Sequence, residues 1–551
     1  MSVERCVLIL AVLLLYVVQL SSCSKGLRTV HPNPESGSTS KADPPADPPP
    51  PNVLTFHNDV MRTGQNLYEA VLTPTNVNSG RFGRLAFINV QGKVDAEPLY
   101  VSNLTISGKK RNVLFVVTEH DLAYAFDADT FEQLWSVSVI PAEETPSDKR
   151  NCEQIEPEIG ITATPVIDLD AGPHGTIFLV AMSKDGGGHY FQRLHALDIT
   201  AGQDLNPPQT IMASFPGSGP NSIRGHVIFD AKQYEDRAAL LLSNGVIYTT
   251  WASHCDHEPY NGWVIGMSET TLKRVTTISL TPNGGEGAIW MTGDGPAADA
   301  AGNIYLLTGN GTFDSILGPT GFPSGHDFGN SFLRLSTQNG LSVYDYFSMH
   351  NNAAESNGDV DLGSGGVMLL PDVADSSGKV RHLAVGAGKD EVIYVVNRDS
   401  MGKFNPSNDS IYQELPNALG GAEFASPAYF DGTVYFGAYL GQLKAFPITN
   451  AMLATTPSSQ TSTRFDYPGT TPSISANGTA NAIVWAVENS QSGVLHAFDA
   501  ANLALELYNS NQAGKRDQFF DNKFIVPMIA GGKVFVGTPT GVMVFGLLPQ
   551  R

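Results

Sequence analysis

The sequence predicts an all-β chain made of one unit repeated eight times, and three observations lead to this prediction. From residue 53 onward, runs rich in Val, Ile, Tyr and Phe alternate with breaks rich in Gly, Asn and Asp, as strands and turns do. The runs come in similar pairs, and the second run of a pair often ends in Ala-x-Asp. The chain is 42% hydrophobic and only 16% charged, which is enough apolar content for a large core.

The repeated units follow one another to the C-terminus. In chain order they occupy residues 113–130, 176–202, 246–271, 303–340, 383–402, 433–450, 482–502 and 533–548. Each unit is too small to bury its own face, which favours the blades of an eight-bladed β-propeller. The last unit lacks an outer strand, and the isolated run "FGRLAFINV" (82–90) could supply it. Pairing of the N- and C-terminal strands would close the ring and remove free edges, whereas a long open solenoid is the alternative.

A leader and a tether precede the repeats. Residues 1–23 combine an arginine, a short apolar run and the ending "LSSC", which is typical of an export signal and too short for a confident membrane span. The ending resembles a bacterial lipobox, so Cys23 would be lipidated and would anchor the protein in the cell envelope. An ordinary signal peptide that is cut nearby is the alternative. Residues 24–52 are rich in Pro and Ser and predict an extended tether, and residues 53–551 would form the propeller.

Charge and cysteines limit the function further. The formal net charge of −21 repels phosphate backbones, so nucleic acid is not an expected partner, whereas a bound cation is compatible with it. We expect contact with a membrane only through the lipid anchor. Cys152 and Cys255 remain in the exported domain, where they could form a disulfide or stay as two unpaired thiols.

The stretch "NGDVDLGSGG" (357–366) carries two carboxylates in a glycine-rich loop. Asp359 and Asp361 would repel each other by several kcal/mol at one site unless a cation or a proton lies between them. Hard cations such as Ca²⁺ bind carboxylate and amide oxygens, so a shared cation is one interpretation. The other is a solvated loop in which the aspartates only favour turns.

The repeats resemble those of a known family. In "AFDADTFEQLW", Ala125, Asp127, Thr130 and Trp135 have the spacing of the tryptophan-docking repeat. The chain resembles the quinoprotein alcohol dehydrogenase superfamily, whose members are eight-bladed propellers, and the PQQ-like repeat proteins of the same shape. That resemblance implies pyrroloquinoline quinone (PQQ) with calcium or a lanthanide at the ring centre.

The resemblance also implies roles for individual residues. Asn310, in "LLTGNGTFD", matches the metal-binding asparagine. Asp359 matches the catalytic base and metal ligand, and Asp361 matches the extra metal ligand of lanthanide-dependent members. Lys389 matches the cation that contacts the quinone oxygens, although a loop lysine bound to water is the alternative. A glutamate ligand is expected among residues 256–258, where Glu258 is the favoured choice.

Three positions depart from the family pattern. Cys152 stands where the family stacks a disulfide between two adjacent cysteines on the cofactor, but the neighbour of Cys152 is Asn151. Cys152 would therefore contact the cofactor without such a disulfide. A bond between Cys152 and Cys255 would instead join adjacent blades. The stacking tryptophan is expected near Ala298, and Trp290 comes too early. The family arginine after the cysteine pair is replaced by Pro157 or Glu158. Both stacking walls are therefore expected to be missing.

Two main hypotheses for function follow. The first is an exported, metal-assisted dehydrogenase of alcohols or sugars, divergent from the quinoproteins. The second is a lipid-anchored propeller that binds a glycan, a peptide or an envelope protein without redox chemistry, as BamB-like assembly scaffolds do. A hydrolase or lyase is a third, but the sequence has no Gly-x-Ser-x-Gly motif for it. His254 and His257 lack a third ligand at metal spacing, which argues against zinc.

Overall fold

A computed structural model describes residues 52–490 and 492–550 of the chain. The predicted leader with Cys23 and nearly all of the predicted tether lie outside these residues. The described part is almost entirely β. Its helices are one α-helix and three short 3₁₀-helices, at Asn352–Asn357 and at Met291–Gly293, Leu362–Ser364 and Ser510–Arg516. Within this part, none of the helices is long and apolar enough to cross a membrane.

Eight antiparallel sheets with four main strands each follow one another along the described residues, and we number them 1 to 8. The strands of sheets 1 to 4 are Leu99–Ile106, Lys109–Val117, Leu122–Asp127 and Gln133–Ser138; Val166–Asp168, Thr176–Asp185, Tyr190–Asp198 and Gln209–Thr210; Leu241–Ser243, Val246–Ser253, Trp263–Ser268 and Arg274–Ser279; Ala297–Ala298, Ile304–Leu307, Phe332–Ser336 and Ser342–Phe347. Those of sheets 5 to 8 are Val367–Leu369, Leu383–Ala387, Ile393–Asn397 and Gln413–Leu415; Ala428–Phe430, Thr433–Phe436, Gln442–Thr449 and Ser459–Arg464; Ser473–Asn477, Ala480–Ser490, Ser492–Asp499 and Asn502–Asn509; Met528–Ala530, Lys533–Thr538, Gly541–Leu547 and Phe82–Asn89.

Shorter strands extend these sheets or form small sheets of their own. They are Gln65–Asn66, Glu144–Asp148, Glu158–Ile159, Ser214–Pro216, Ser222–Ile223, His226–Ile228, Tyr234–Glu235, Val373–Ala374, Val380–Arg381 and Met452–Leu453.

Sheet 8 combines distant parts of the chain. Its outer strand, Phe82–Asn89, runs antiparallel to Gly541–Leu547, with Phe82 opposite Leu547 and Asn89 opposite Gly541. The isolated run of the sequence therefore supplies the fourth strand that the C-terminal unit lacks. This pairing covers the backbone groups that would otherwise form an open sheet edge.

Apolar packing connects each sheet to the next. In sheet 1, all five residues of Val113–Val117 are buried, because neighbouring sheets cover both of its faces. One cluster joins sheets 8, 1 and 2, and others join sheets 2 and 3, sheets 3 to 5, sheets 5 and 6, sheets 6 and 7, and sheets 7 and 8. The packing thus leads from sheet 8 back to sheet 1.

The tryptophan-docking motif of the first unit forms the expected contacts. The Asp127 side chain accepts a hydrogen bond from the backbone N–H of Thr130 at 2.9 Å, which stabilises the turn. Trp135 Nε1 donates to the carbonyl of Ile199 in sheet 2 at 3.0 Å. A Cβ atom at Gly202 would lie 2.6 Å from the Trp135 ring, so the glycine allows this close approach between sheets.

The segment 53–69 passes along the first strands of the sheets. Its backbone hydrogen bonds reach the first strands of sheets 1, 2, 4, 5, 6 and 7 through the pairs Val53 and Tyr100, Leu54 and Ile167, Val60 and Ala298, Met61 and Leu369, Thr63 and Tyr429, and Gly64 and Ile474. The buried guanidinium of Arg62 adds a bond to the carbonyl of Leu240, immediately before sheet 3. Because one short segment contacts so many first strands, those strands surround a common centre, and the loops that lead into them converge there.

Candidate functional site

The predicted acidic loop leads into sheet 5. Asp359 and Asp361 precede the first strand of this sheet, and Lys389 lies in the turn between its second and third strands. Asn310 follows the second strand of sheet 4. In an antiparallel sheet, the start of the first strand and the end of the second lie at the same edge. The topology therefore brings these four residues together.

Lys389 is the centre of this cluster. Its Nζ lies 2.7 Å from Asp359 Oδ1 and 2.6 Å from Asp361 Oδ2. Asn310 contacts the same carboxylates: its backbone N–H donates to Asp361 Oδ1 at 2.5 Å, and its Nδ2 donates to Asp359 Oδ1 at 3.0 Å. The two aspartates thus share a cation, and in this structure that cation is the lysine ammonium.

The two aspartates differ in their environments. The Asp361 side chain is 9% exposed, whereas that of Asp359 is 77% exposed. Burial raises the pKa of Asp361, and the nearby Lys389 opposes this only in part. Burial lowers the pKa of Lys389, but attraction by Asp361 and hydrogen bonds to both carboxylates outweigh it, so its pKa is raised. A protonated lysine therefore anchors a buried carboxylate and an exposed one.

Asn310 also carries an unused acceptor. Its Oδ1 is buried and has no hydrogen-bond partner among the described residues. Such an atom has a free acceptor position that a water or a cation can fill. Gly309 permits the close packing here, because a Cβ atom would lie 2.7 Å from Asp361 Oδ1 and 2.8 Å from Trp290 Cδ1. Within the described ranges, no three His, Cys, Asp or Glu side chains are grouped to hold a metal, so the oxygen set here is two carboxylates and one amide.

A cavity of about 80 Å³ adjoins the cluster. Its lining residues are Gln154, Arg237, Asp256, Trp290, Thr292, Asp361, Ser364, Lys389, Phe424, Tyr467 and Phe524. The Tyr467 ring makes edge-to-face contacts with Phe424 and Phe524, with ring centres 5.4 and 5.9 Å away. The cavity is thus walled by aromatic rings and carries both cations and carboxylates. It is smaller than the roughly 300–1,000 Å³ of most ligand pockets.

The structure corrects the position of the aromatic wall. Ala298, where the sequence comparison expects the stacking tryptophan, lies in a strand and is buried in the core of sheets 3 to 5. Trp290, which that comparison placed too early, lines the cavity. The intervening segment contains a 3₁₀-turn with Thr292 in the left-handed region, and this irregular backbone breaks the spacing that the comparison assumed.

Cys152 and Cys255 form a disulfide, with their Cα atoms 5.5 Å apart. The bond joins the loop that leads into sheet 2 to the loop after the second strand of sheet 3. Gln154 and Asp256, which lie close to the cysteines in the chain, line the cavity. Cys152 itself is buried and is not among the lining residues, and its contact with a cofactor stays a prediction.

Glu258 points to a different cavity. It lines a volume of about 660 Å³ together with Glu286 and Tyr260. Burial, and then the hydrogen bond and the charge of Glu258, raise the pKa of Glu286 to about 7. Tyr260 donates a hydrogen bond to Asp256 Oδ1 at 2.8 Å. In the loop 256–258, Asp256 rather than the favoured Glu258 therefore lines the cavity beside Asp361.

Sequence reasoning missed Arg237. This buried residue lines the cavity of about 80 Å³, which we call the central cavity, and it lies in the loop that leads into the first strand of sheet 3. It ends the inserted segment 217–237, which is long for a connection between units, and that insertion was the only signal in the sequence.

Comparisons with family models and with curated protein sequences find no match for the chain. Solved structures do match it. The quinohemoprotein alcohol dehydrogenase from Comamonas testosteroni has a TM-score of 0.59 at 15% identity, covering 91% of this chain and 82% of that one. The quinohemoprotein alcohol dehydrogenase ADHIIG from Pseudomonas putida HK5 has a TM-score of 0.58 at 12% identity, with the same coverage.

The chain has the fold of these dehydrogenases. The resemblance indicated by the repeats is therefore confirmed for the fold, which is the β-propeller of these dehydrogenases. Likeness at this level of identity concerns the fold alone. The chemistry of the site has to follow from its own residues.

Proposed function

We propose that the eight sheets are the blades of a propeller closed by the pairing of Phe82–Asn89 with Gly541–Leu547, and that its central cavity binds a small ligand for redox chemistry. The activity supported best is a divergent quinoprotein-type dehydrogenase of alcohols or sugars. One observation carries this proposal: Asp359, Asp361 and Lys389 converge beside a cavity that has Trp290 in its wall.

The site offers aromatic surface for a conjugated ring and oxygen atoms for a hard cation, beside a cavity of about 80 Å³. Trp290 and the aromatic side chains around Tyr467 offer surface on which a conjugated ring binds favourably. The unused Asn310 Oδ1, with Asp359 and Asp361, offers oxygen ligands for calcium or a lanthanide. Because the cavity is small, aromatic side chains have to move aside for the ring to enter. When bound, PQQ would supply the acceptor for the hydride that leaves the substrate carbon.

The side chains of the cluster divide the remaining tasks. Asp359 is the general base in this proposal, because its exposed carboxylate can take the hydroxyl proton of an alcohol as the hydride leaves. Lys389 and Asn310 hold this carboxylate by hydrogen bonds to its Oδ1. Asp361 is buried and fixes the ammonium of Lys389, which can donate to an oxygen that gains negative charge.

Calorimetric titration of PQQ into the purified protein tests the proposal, with calcium, with lanthanum and without metal. Asp361→Asn should weaken metal-dependent binding, whereas Asp431→Asn, at an exposed turn of sheet 6, should not. Asp359→Asn should bind PQQ and lose alcohol oxidation. Absence of PQQ and metal binding in every arm would contradict the proposal and favour the non-catalytic binding scaffold.

We also propose that the protein is exported and anchored in the cell envelope by a lipid on Cys23. The "LSSC" ending and the Pro- and Ser-rich residues after it support this. Cys23→Ser should move the protein from the membrane fraction to the soluble envelope fraction. A protein that stays in the membrane fraction after this change would contradict the anchor.

A further inference from the structure

The cavity of about 660 Å³ has no part in the proposed function so far. We call it the acidic cavity, because Glu258 and Glu286 lie in its wall. Its volume is within the roughly 300–1,000 Å³ of most ligand pockets, so it has room for a small molecule. Tyr260, also in its wall, donates a hydrogen bond to Asp256, which lines the central cavity. The two cavities are therefore neighbours.

The wall of the acidic cavity carries negative charge. The residues of the described chain that line it include no Lys, Arg or His. The charges that act most strongly on Glu286 are those of Glu258, Asp256 and Asp361, and all three are negative. Such a cavity attracts positively charged ligands and repels anions.

Several hydrogen-bond donors of the wall are already used within the protein. The backbone N–H of Gly285 donates to Thr312 Oγ1 at 3.1 Å, and that of Thr312 donates to the carbonyl of Gly285 at 3.0 Å. The backbone N–H of Glu286 donates to the carbonyl of Tyr260 at 2.8 Å. The polar groups that remain for a ligand are therefore chiefly acceptors.

Asn352 adds an acceptor that does not depend on the carboxylates. The residue is 2% exposed. Its Nδ2 donates to the carbonyls of Gly329 and Asn330 at 3.0 and 2.9 Å and to Ser348 Oγ at 2.7 Å, which fixes the amide plane. Its Oδ1 accepts no hydrogen bond from the described residues, and it is not among the enclosed polar atoms that lack a partner. This oxygen therefore reaches open space, and because Asn352 lines the acidic cavity, that space is the cavity.

One part of the wall is apolar. It consists of the Phe313 ring, Ala353 and two prolines, Pro220 and Pro259. Such a surface favours a hydrocarbon chain beside the charged group of a ligand. The face of an aromatic ring also attracts a cation.

The acidic cavity is connected to the proposed base by two loops. Asn357 lies in its wall, two residues before Asp359 in the chain. Gly311 also lies in its wall and follows Asn310, whose Nδ2 donates to Asp359 Oδ1. A ligand in the acidic cavity therefore lies beside the carboxylate that takes the hydroxyl proton in the proposed function.

We propose that the acidic cavity binds the ammonium group of the substrate and that this substrate is an amino alcohol. The three N–H donors of a primary ammonium match the carboxylates of Glu258 and Glu286 and the free Asn352 Oδ1. The hydroxyl end is the end that reacts, and to that extent the inference rests on the proposed function. The ammonium takes no part in the reaction: the alcohol carbon is oxidised to an aldehyde, its hydride passes to the quinone, and the hydroxyl proton passes to Asp359.

Calorimetric titrations of the purified full chain test the ammonium site without any cofactor. The probes are 4-aminobutan-1-ol, butan-1-amine and butan-1-ol, at about pH 8, where an alkylammonium is still protonated. The variant is Glu286→Gln, which removes a charge and keeps the size of the side chain. Glu143→Gln, at an exposed position, is the matched control. Thermal unfolding shows whether each variant is folded.

We expect the wild type to bind both amines at least about 10-fold more tightly than butan-1-ol, because only the amines carry a charge-assisted donor. Glu286→Gln should weaken binding of the amines about 10- to 100-fold, and Glu143→Gln should bind them as the wild type does. Equal affinity of the wild type for amines and butan-1-ol would overturn the inference without any variant, so the test holds even if Glu286→Gln does not fold.

Oxidation of the two alcohols is then compared in protein loaded with PQQ and calcium. The wild type should have a kcat/KM for 4-aminobutan-1-ol about 10-fold or more above that for butan-1-ol, and Glu286→Gln should remove this preference. Equal values in the wild type would overturn the amino alcohol as substrate, even if amines bind.

The other outcomes distinguish the two proposals. Oxidation of butan-1-ol without any binding of amines would keep the proposed function and overturn this inference. Binding of amines that depends on Glu286, without PQQ binding, would contradict the proposed function and leave the ammonium site standing. Calcium binding that depends on Glu286, without binding of amines, would make the acidic cavity a metal site and overturn the inference.

Discussion

The central cavity has two sides that are built in different ways. The lysine side consists of loop residues from sheets 4 and 5, namely Asn310, Asp359, Asp361 and Lys389. The arginine side combines loops from sheets 2, 3 and 8, and its members are the Cys152–Cys255 disulfide, Glu235, Arg237 and Phe524. Ion pairs within two neighbouring sheets hold the lysine side. A covalent bond and a stacked guanidinium hold the arginine side.

This difference shows which kind of site a sequence reveals. The lysine side contains Asp-x-Asp beside glycines, so Asp359 and Asp361 form a local pattern, whereas Asn310 lies 49 residues before Asp359 and Lys389 lies 30 residues after it. The arginine side joins residues as far apart as Arg237 and Phe524, and none of them forms a local pattern. Four predictions test how far the two sides depend on these different supports.

The largest effect is expected on the arginine side, from removal of the disulfide. The Cys152→Ser, Cys255→Ser double variant should lose about 4–5 kcal/mol of unfolding free energy, because the bond closes a loop of 103 residues and restricts the unfolded chain. Urea unfolding measures this loss. Wild type in reducing buffer should unfold at the same urea concentration as the double variant. If the double variant instead has the urea midpoint of the oxidised wild type, the loops hold their positions without the bond.

Loss of the lysine ammonium should have the next largest effect. Lys389→Met leaves the buried Asp361 carboxylate without its cation and should cost about 2–4 kcal/mol in urea unfolding at pH 7. Lys379→Met, at an exposed position of a neighbouring hairpin, is the control and should cost almost nothing. Adding Asp361→Asn to Lys389→Met should recover part of the loss; a purely additive double variant would speak against a shared ion pair.

A smaller effect is expected from filling the space beside Asp361. In Gly309→Ala, the new methyl group would lie within 3 Å of Asp361 Oδ1 and the Trp290 ring, which must shift at a cost of about 1–3 kcal/mol. Gly186→Ala has no heavy atom near its methyl group and serves as the matched control. If the two variants unfold at the same urea concentration, the packing between Asp361 and Trp290 is looser than the structure shows.

The smallest effect is expected on the pH dependence of stability, from the pair Glu258 and Glu286 in the cavity of about 660 Å³. The folded-state pKa of Glu286 is raised to about 7, above the unfolded value near 4.5, so the folded state binds more protons between these values. Unfolding free energy should therefore fall as pH rises from about 4.5 to about 7. Glu286→Gln should flatten this decline in urea titrations at several pH values, whereas Glu143→Gln, an exposed control, should leave the slope unchanged.

Much of the fold could be predicted because it depends on local chemistry. The alternation of Val, Ile, Tyr and Phe with turn residues indicated the strands, and the motif around Asp127 and Trp135 indicated how one sheet docks on the next. The pairing of Phe82–Asn89 with the last unit could be proposed because a unit without an outer strand is incomplete.

The site could be predicted only in part. The grouping of Asp359, Asp361, Lys389 and Asn310 followed from a resemblance between loops. The position of Trp290 could not be found, because the irregular turn around Thr292 changes the spacing in a way that residue counting does not detect. Residue counting cannot choose between Glu258 and Asp256 as a ligand either, because nearby residues of a loop can line different cavities, as these two do.

The sequence by itself determined the strands, the turns and the Asp-x-Asp pair of Asp359 and Asp361, because hydrophobic periodicity and turn chemistry act over a few residues. Only the tertiary structure decided that Cys152 forms a disulfide with Cys255, that Trp290 forms a wall of the cavity, and that Arg237 is stacked on Phe524 in another part of the cavity wall. These contacts join residues far apart in the chain, and their positions depend on how the sheets pack around a common centre.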